Sequence, residues 1–228
     1  MLPPQEHGLL HFRGPFMKNN APYNPPVKAI IFDVGNVLVR WDPRRAYEPL
    51  FKGKPQELNF FLSTVCTLEW HTRHDQGVPF RENIKFLQKQ YPEYAPMIAA
   101  YDSQWDNMFG EVIEGAIQLL HQLHDLNYAL FGLTNFPAEK FSSFKQTHNF
   151  MDLFLDIIVS GEEKVTKPDP RIYQILLNRT GIPAAQSLFI DDRQENIIAA
   201  QKLGFQTHHF TSPENLRTYL VSRQIISR

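Results

Sequence analysis

Excess charge, cysteine and long apolar runs are what this chain has least of. Its 23 lysine and arginine residues nearly balance 24 aspartate and glutamate residues, leaving a formal net charge of -1. With no basic excess or stripe, a nucleic-acid partner is not expected. The single cysteine, Cys66, cannot close an internal disulfide and lies in the apolar run 62–68. It is expected to be a buried, inert thiol in a reduced, cytoplasmic setting. No stretch is long and apolar enough to cross a membrane, so no membrane partner is expected either. Zinc-like spacing is missing too. His71 and His74 stand alone at i, i+3, and His208 and His209 are neighbours that a strand would point to opposite faces.

What is present suffices for a packed core: 228 residues, 43% of them hydrophobic, enough for one or two domains. Residues 1–26 carry six prolines among scattered polar residues and lack the continuous apolar core of a secretory signal. They are expected to form an irregular leader.

Beyond that leader, short apolar runs alternate with helical patterns. Runs 28–32, 128–133, 156–159 and 187–190 are apolar enough for strands buried on both faces, and 205–210 is a weaker version. Apolar residues recur at helical spacing over 111–126, 170–179 and 193–203, the last closed by Gly204. Strand following helix predicts an α/β fold: a Rossmann-like parallel sheet with helices on both faces. From Asp42 to Phe109 no strand is expected, only helical patterns rich in aromatics that include Trp41, Trp70 and Trp105. That predicts a helical cap domain, residues 42–109, inserted into a core made of 27–41 and 110–228. Its aromatics are expected chiefly to pack one another.

In an open parallel sheet, ligands bind beyond the carboxyl ends of the strands. The polar residues at those ends are Asp33, Gly35 and Asn36, then Thr134 and Asn135, then Lys167, then Asp191 and Asp192. Clustered carboxylates repel unless a cation joins them, and oxygen donors alone suit Mg²⁺. Thr134 offers a hydroxyl, the helix entered at Pro137 offers free amides, and Lys167 offers positive charge. Together they form a seat for a phosphoryl group, with a carboxylate left over as nucleophile. Each residue alone has a plainer explanation. Asp192 with Glu195 makes a passable helix capping box, Asp169 before Pro170 is a natural cap, and an isolated lysine is usually solvated. Their order and shared placement at strand ends argue for a site.

The segments Asp33-Val-Gly-Asn-Val-Leu38, Leu133-Thr-Asn135, Lys167-Pro-Asp-Pro170 and Phe189-Ile-Asp-Asp192 resemble, in order, the signature motifs of the haloacid dehalogenase superfamily. The resemblance runs from about Lys28 to Phe210, and the helical block falls where that family inserts its first-type cap. The doubled Asp191-Asp192 followed by Asn196 is similar to the bacterial glucose-1-phosphate phosphatase group and to the N-terminal phosphatase domain of soluble epoxide hydrolase. The resemblance implies a Mg²⁺-dependent phosphatase acting on a small phosphorylated metabolite, a sugar phosphate among the options, as a monomer or homodimer. It implies that Asp33 attacks phosphorus and that Asp33, the Gly35 carbonyl and Asp192 hold Mg²⁺. It implies that Asn36, Thr134 and the Asn135 amide serve the phosphoryl group and that Lys167 orients Asp33. Asp191 and Asn196 are implied around the metal's waters.

One position departs from the family pattern. Most of its phosphatases carry a second aspartate two residues after the nucleophile, as acid and base, and here that residue is Gly35. The departure argues against a phosphomutase. It leaves a role for a cap residue, with Trp70 or His71 expected to face the site. Two rival readings are a 2-haloacid dehalogenase, which the acidic pair Asp191-Asp192 disfavours, and a non-catalytic phospho-ligand-binding module.

Overall fold

The computed structural model describes residues 26–227. The expected leader, residues 1–26, lies outside them except for Pro26. Seven strands occur among the described residues: β1 (Ala29–Phe32), β2 (Val39–Trp41), β3 (Phe109–Val112), β4 (Ala129–Thr134), β5 (Asp156–Val159), β6 (Ser187–Asp191) and β7 (Gln206–His209). Five form a sheet in the order β5-β4-β1-β6-β7, every neighbouring pair parallel. The fold is therefore α/β and Rossmann-like, as the alternation of runs predicts.

Period-2 alternation divides the central strand between two layers. Ile30 and Phe32 pack with Leu119, Leu120 and Leu123 of the helix Glu114–Asp125. Ala29 and Ile31 pack with Ile172, Leu176 and Ile197 of the helices Pro170–Thr180 and Gln194–Lys202 on the other face. Each fully buried large side chain of β1 contributes about 1.5–3 kcal/mol. The central position of β1, β4 and β6 fixes Asp33, Thr134 and Asp191 side by side at one edge of the sheet.

Between β2 and β3 lie helices at Pro43–Tyr47, Pro55–Phe60, Leu68–Asp75, Phe80–Gln90 and Ala95–Ser103, with a π-helical turn at Phe61–Val65. Thr67 caps the third by accepting from the Trp70 amide. Cys66 is buried in this block, 3% exposed. The helix Phe80–Gln90 starts at Pro79 with no cap of its own. Instead the Glu139 carboxylate, from the helix Ala138–Thr147, accepts from the Phe80 amide at 2.9 Å. Lys140 of that same helix pairs with Asp102, so the block is tied to the sheet layer at two points.

Two expectations are corrected. Residues 109–112 are not helical: β3 pairs antiparallel with β2, Trp41 opposite Phe109, and the helix expected from 111 begins at Glu114. Strands this short show no alternation to detect. The capping box proposed for Asp192 and Glu195 is absent. Arg193 occupies the cap position without a side-chain bond, and it is Asp191 that accepts from the Arg193 amide, at 2.8 Å. Asp169 does cap its helix, accepting from the Arg171 amide.

After β5, the short helix Ser160–Glu163 braces the turn that follows β4. Ser160 Oγ accepts from the Phe136 amide at 2.9 Å, and the Gly161 amide donates to the Phe136 carbonyl at 3.1 Å. A Cβ on Gly161 would lie 2.4 Å from the Ala138 nitrogen and 2.8 Å from the Phe136 oxygen. Both are backbone atoms that cannot swing aside. Gly161→Ala is therefore expected to destabilise the protein by about 1–3 kcal/mol. An unchanged denaturant midpoint would show that the turn can yield.

Candidate active site

The site begins with a lysine that water does not reach. Lys167 is 4% exposed, and its ammonium has three acceptors: Asp33 Oδ2 at 2.9 Å, Asp191 Oδ2 at 2.7 Å and the Leu133 carbonyl at 2.8 Å. Three donors meeting three acceptors fix the group completely. Its backbone is held as well, because the Asn135 side chain accepts from the Lys167 amide at 2.8 Å and donates to its carbonyl at 3.0 Å. The Asn135 side chain is thus spent on positioning, which leaves its backbone amide for a ligand.

Asp191 is fully buried and saturated: besides Lys167 it accepts from the Arg193 amide and from Asn196 Nδ2 at 2.9 and 3.0 Å. Asp33 is 7% exposed. Its Oδ1 accepts from the Val34 amide at 2.7 Å. Burial pushes the Asp33 carboxyl well above the ordinary carboxylate range, Lys167 pulls it back, and Asp191 and Asp192 push it up again. The Asp192 carboxyl is raised by burial and then by Asp191. Burial works against the Lys167 ammonium, but Asp191 and Asp33 outweigh it and hold its pKa above the usual lysine value.

Carboxylate oxygens of Asp33, Asp191 and Asp192 lie within 4.8 Å of one another. One ammonium against three carboxylates leaves negative charge uncompensated, which is the electrostatic condition for a cation. Because Asp191 is already saturated, Asp33 and Asp192 are the carboxylates left for it. These hard oxygen donors fit Mg²⁺.

The loop after β1 turns through Asn36 in the left-handed region, φ 56°, where asparagine is tolerated. Asn36 Oδ1 accepts from the Trp41 amide at 3.0 Å. Neither crowding nor a positive φ requires glycine at 35, since a Cβ there would meet no atom within 4 Å.

A cavity of about 290 Å³ opens over these groups. Asp33, Gly35, Asn36, Thr134, Asn135, Asp192 and Asn196 all line it. So does His71, the expected cap residue. Trp70, the alternative, does not: it is 5% exposed, faces away and donates from Nε1 to the Asn83 carbonyl. Its edge packs on His74 and Tyr101, which do not line the cavity that His71 faces. Below it, burial lowers the His74 pKa to about 3, which keeps that ring neutral between Val78 and Asn83.

Residue-type reasoning misses Asp75. It lines the cavity at 5% exposure, one turn beyond His71. His71 Nε2 lies 3.3 Å from Asp75 Oδ2, and its Nδ1 lies 2.9 Å from the Tyr101 hydroxyl. Burial holds the Tyr101 phenol well above its usual pKa, and the His71 ring is held from both of its nitrogens. Asp75 Oδ1 is buried with no partner among the described residues. The i, i+4 spacing of His71 and Asp75 was the available signal.

The chain belongs to the haloacid dehalogenase-like hydrolases, whose family model matches residues 67–209. It is 29% identical over 206 residues to the sesquiterpene phosphatase astK of Aspergillus oryzae, covering 87% of this chain and 96% of that protein. A haloacid dehalogenase family enzyme from Bacteroides thetaiotaomicron, solved with magnesium and inorganic phosphate, matches with a TM-score of 0.65 at 22% identity. That match covers 82% of this chain and 95% of the other. An L-2-haloacid dehalogenase from Xanthobacter autotrophicus matches with a TM-score of 0.62 at 18% identity, covering 88% and 84%. The last two share the fold with this chain, and a common fold does not choose between their chemistries.

Lys167 is expected to be a main electrostatic support of this edge. Lys167→Met leaves buried carboxylates uncompensated and should cost about 3–5 kcal/mol. Chemical denaturation without divalent cations checks this, and a loss below about 1 kcal/mol would mean the carboxylates shed their charge at little cost.

Proposed function

We propose that the chain is a Mg²⁺-dependent phosphatase that hydrolyses small phosphate monoesters through an aspartyl-phosphate on Asp33. The observation that carries this reading is the acidic pair Asp191-Asp192 beside Asp33, with Lys167 clamped between Asp33 and Asp191. A 2-haloacid dehalogenase attacks carbon without metal and must seat a substrate carboxylate, which this pair would repel. The relationship to a protein named as a phosphatase, along nearly its whole length, supports the same choice. The division into a core of 27–41 and 110–228 and a cap of 42–109 is part of the reading.

The groups suited to the ion are Asp33, the Gly35 carbonyl and Asp192. When bound, Mg²⁺ supplies the positive charge that lets a phosphoryl group approach a carboxylate. Thr134 and the Asn135 amide receive the phosphoryl oxygens, and Lys167 fixes the angle of Asp33. One Asp33 oxygen bonds to phosphorus while the bond from phosphorus to the ester oxygen breaks. The electron pair of that bond leaves on the ester oxygen, which takes up a proton. Water then attacks phosphorus, the Asp33 carboxylate departs, and inorganic phosphate is released.

Gly35 offers no proton for the leaving oxygen. His71 was one of the two cap residues expected to face the site, but both its ring nitrogens are engaged. The role passes one turn along the helix to Asp75, whose free Oδ1 belongs to a cavity-lining carboxyl. In its protonated form Asp75 gives its proton to the ester oxygen as that bond breaks, and water restores it, while His71 and Tyr101 hold the carboxyl in place.

Asp33→Asn keeps the side-chain shape but removes the attacking charge, so turnover should fall more than about a thousandfold with the circular dichroism unchanged. Excess chelator should abolish the wild-type rate; full activity in chelator would revive the dehalogenase. Asp75→Asn tests the proton separately. Its kcat should drop about a hundredfold on alkyl phosphates and little on 4-nitrophenyl phosphate, whose leaving group needs no proton. Equal losses on both would remove Asp75 from this role.

A further inference from the structure

We infer that the cavity over Asp33 selects phosphate esters whose organic part is uncharged and apolar, an alicyclic, alkenyl or aryl alcohol, over esters of sugars or hydroxy acids. The inference rests on the phosphatase reading and names its substrate class.

The cavity's apolar wall is built of interlocked rings. Trp41, Trp105, Phe109 and Phe136 all line it, with Leu68 at its margin. Phe136 meets Trp105 edge-on at 5.7 Å between centroids and stacks on Phe109 at 5.9 Å. Trp105 meets Phe109 edge-on at 5.7 Å, and Trp41 lies 4.9 Å from the His71 ring. Trp105, Phe109 and Phe136 hold one another, and Trp41 joins them through the His71 ring that stacks on Trp105, so this wall is a fixed surface rather than a set of mobile chains. Such a surface gains from apolar contact and offers little to a hydrated group.

Hydrogen-bonding capacity on the cap side is almost used up. Thr72 Oγ1 donates to the Leu68 carbonyl at 2.8 Å. Both His71 nitrogens and Asp75 Oδ2 are taken. Among the described cap residues that line the cavity, Asp75 Oδ1 and Trp105 Nε1 are the buried side-chain polar atoms without a partner. In the phosphatase reading Asp75 Oδ1 serves the ester oxygen, which leaves one indole N–H. On the cap side a sugar would bring several hydroxyls to one donor, and each left unpaired costs roughly tenfold or more.

Charge excludes the hydroxy acids. Apart from Arg193, the charged side chains lining the cavity are acidic: Asp33, Asp75 and Asp192. Arg193 is paired with Glu195, and its side chain is 58% exposed. A second anionic group on the substrate meets three carboxylates against one guanidinium, which Glu195 already shares.

The test compares cyclohexylmethyl phosphate with glucose 6-phosphate, which share ring size and a primary ester, alongside phosphoglycolate and 4-nitrophenyl phosphate, all with Mg²⁺. The expected result is a kcat/KM at least about tenfold higher for cyclohexylmethyl phosphate than for glucose 6-phosphate or phosphoglycolate. Leu68→Gln, at a position 55% exposed, should narrow that ratio without lowering the melting temperature. Equal or higher kcat/KM for the sugar ester overturns the inference and leaves the phosphatase reading intact. A ratio that Leu68→Gln and Phe109→Ala both leave unchanged removes the ring wall as its cause and overturns the inference too. If 4-nitrophenyl phosphate is also untouched, the phosphatase reading falls, and the inference with it.

Discussion

A buried ammonium shared between two carboxylates is the constraint on which this molecule turns. Lys167 could not sit 4% exposed without Asp33 and Asp191, and those carboxylates could not sit beside Asp192 without Lys167. Burying unpaired charge costs several kcal/mol per ion, so the three elements carrying them must arrive together. Asp33 ends β1, Asp191 ends β6, and Lys167 is delivered by the Asn135 clamp from the end of β4. The parallel order of the sheet is what lets three distant stretches of chain meet at one edge. Architecture and electrostatics are here the same requirement.

Around that pivot the supports are arranged in series. Gly161 and Ser160 hold the turn after β4 by backbone contact. That turn holds Asn135, and Asn135 holds Lys167. The ribbon of β2 and β3 sets Trp41 opposite Phe109, which hangs part of the cavity's aromatic wall directly on the loop that begins with Asp33. The lining of the cavity and the floor of the site are thus joined through a few residues of backbone.

Much of this was legible in the sequence, for physical reasons. Strands buried on both faces must be continuously apolar, so the runs ending at Asp33, Thr134 and Asp191 announce themselves, and a parallel sheet fixes where their next residues go. The ribbon was illegible because strands of three or four residues carry no period. Asp75 was illegible for another reason: a lone carboxylate on an amphipathic helix looks like a solvated charge, and only the packing of Tyr101 against His71 shows that this one is buried. Trp70 and His71 are adjacent, so helical geometry sends them about 100° apart, and sequence alone had no means of saying which faced inward.

The glycine two residues after Asp33 has a consequence for how such a site can change. Its backbone lies in a conformation open to any residue, and the space beside it is free. A carboxylate could be restored there by one substitution without moving a neighbour. In the proposed phosphatase, proton supply by the loop and proton supply by the cap are then compatible fittings on one frame. One substitution would add the first beside the second, with the sheet, the lysine and the cavity left as they are.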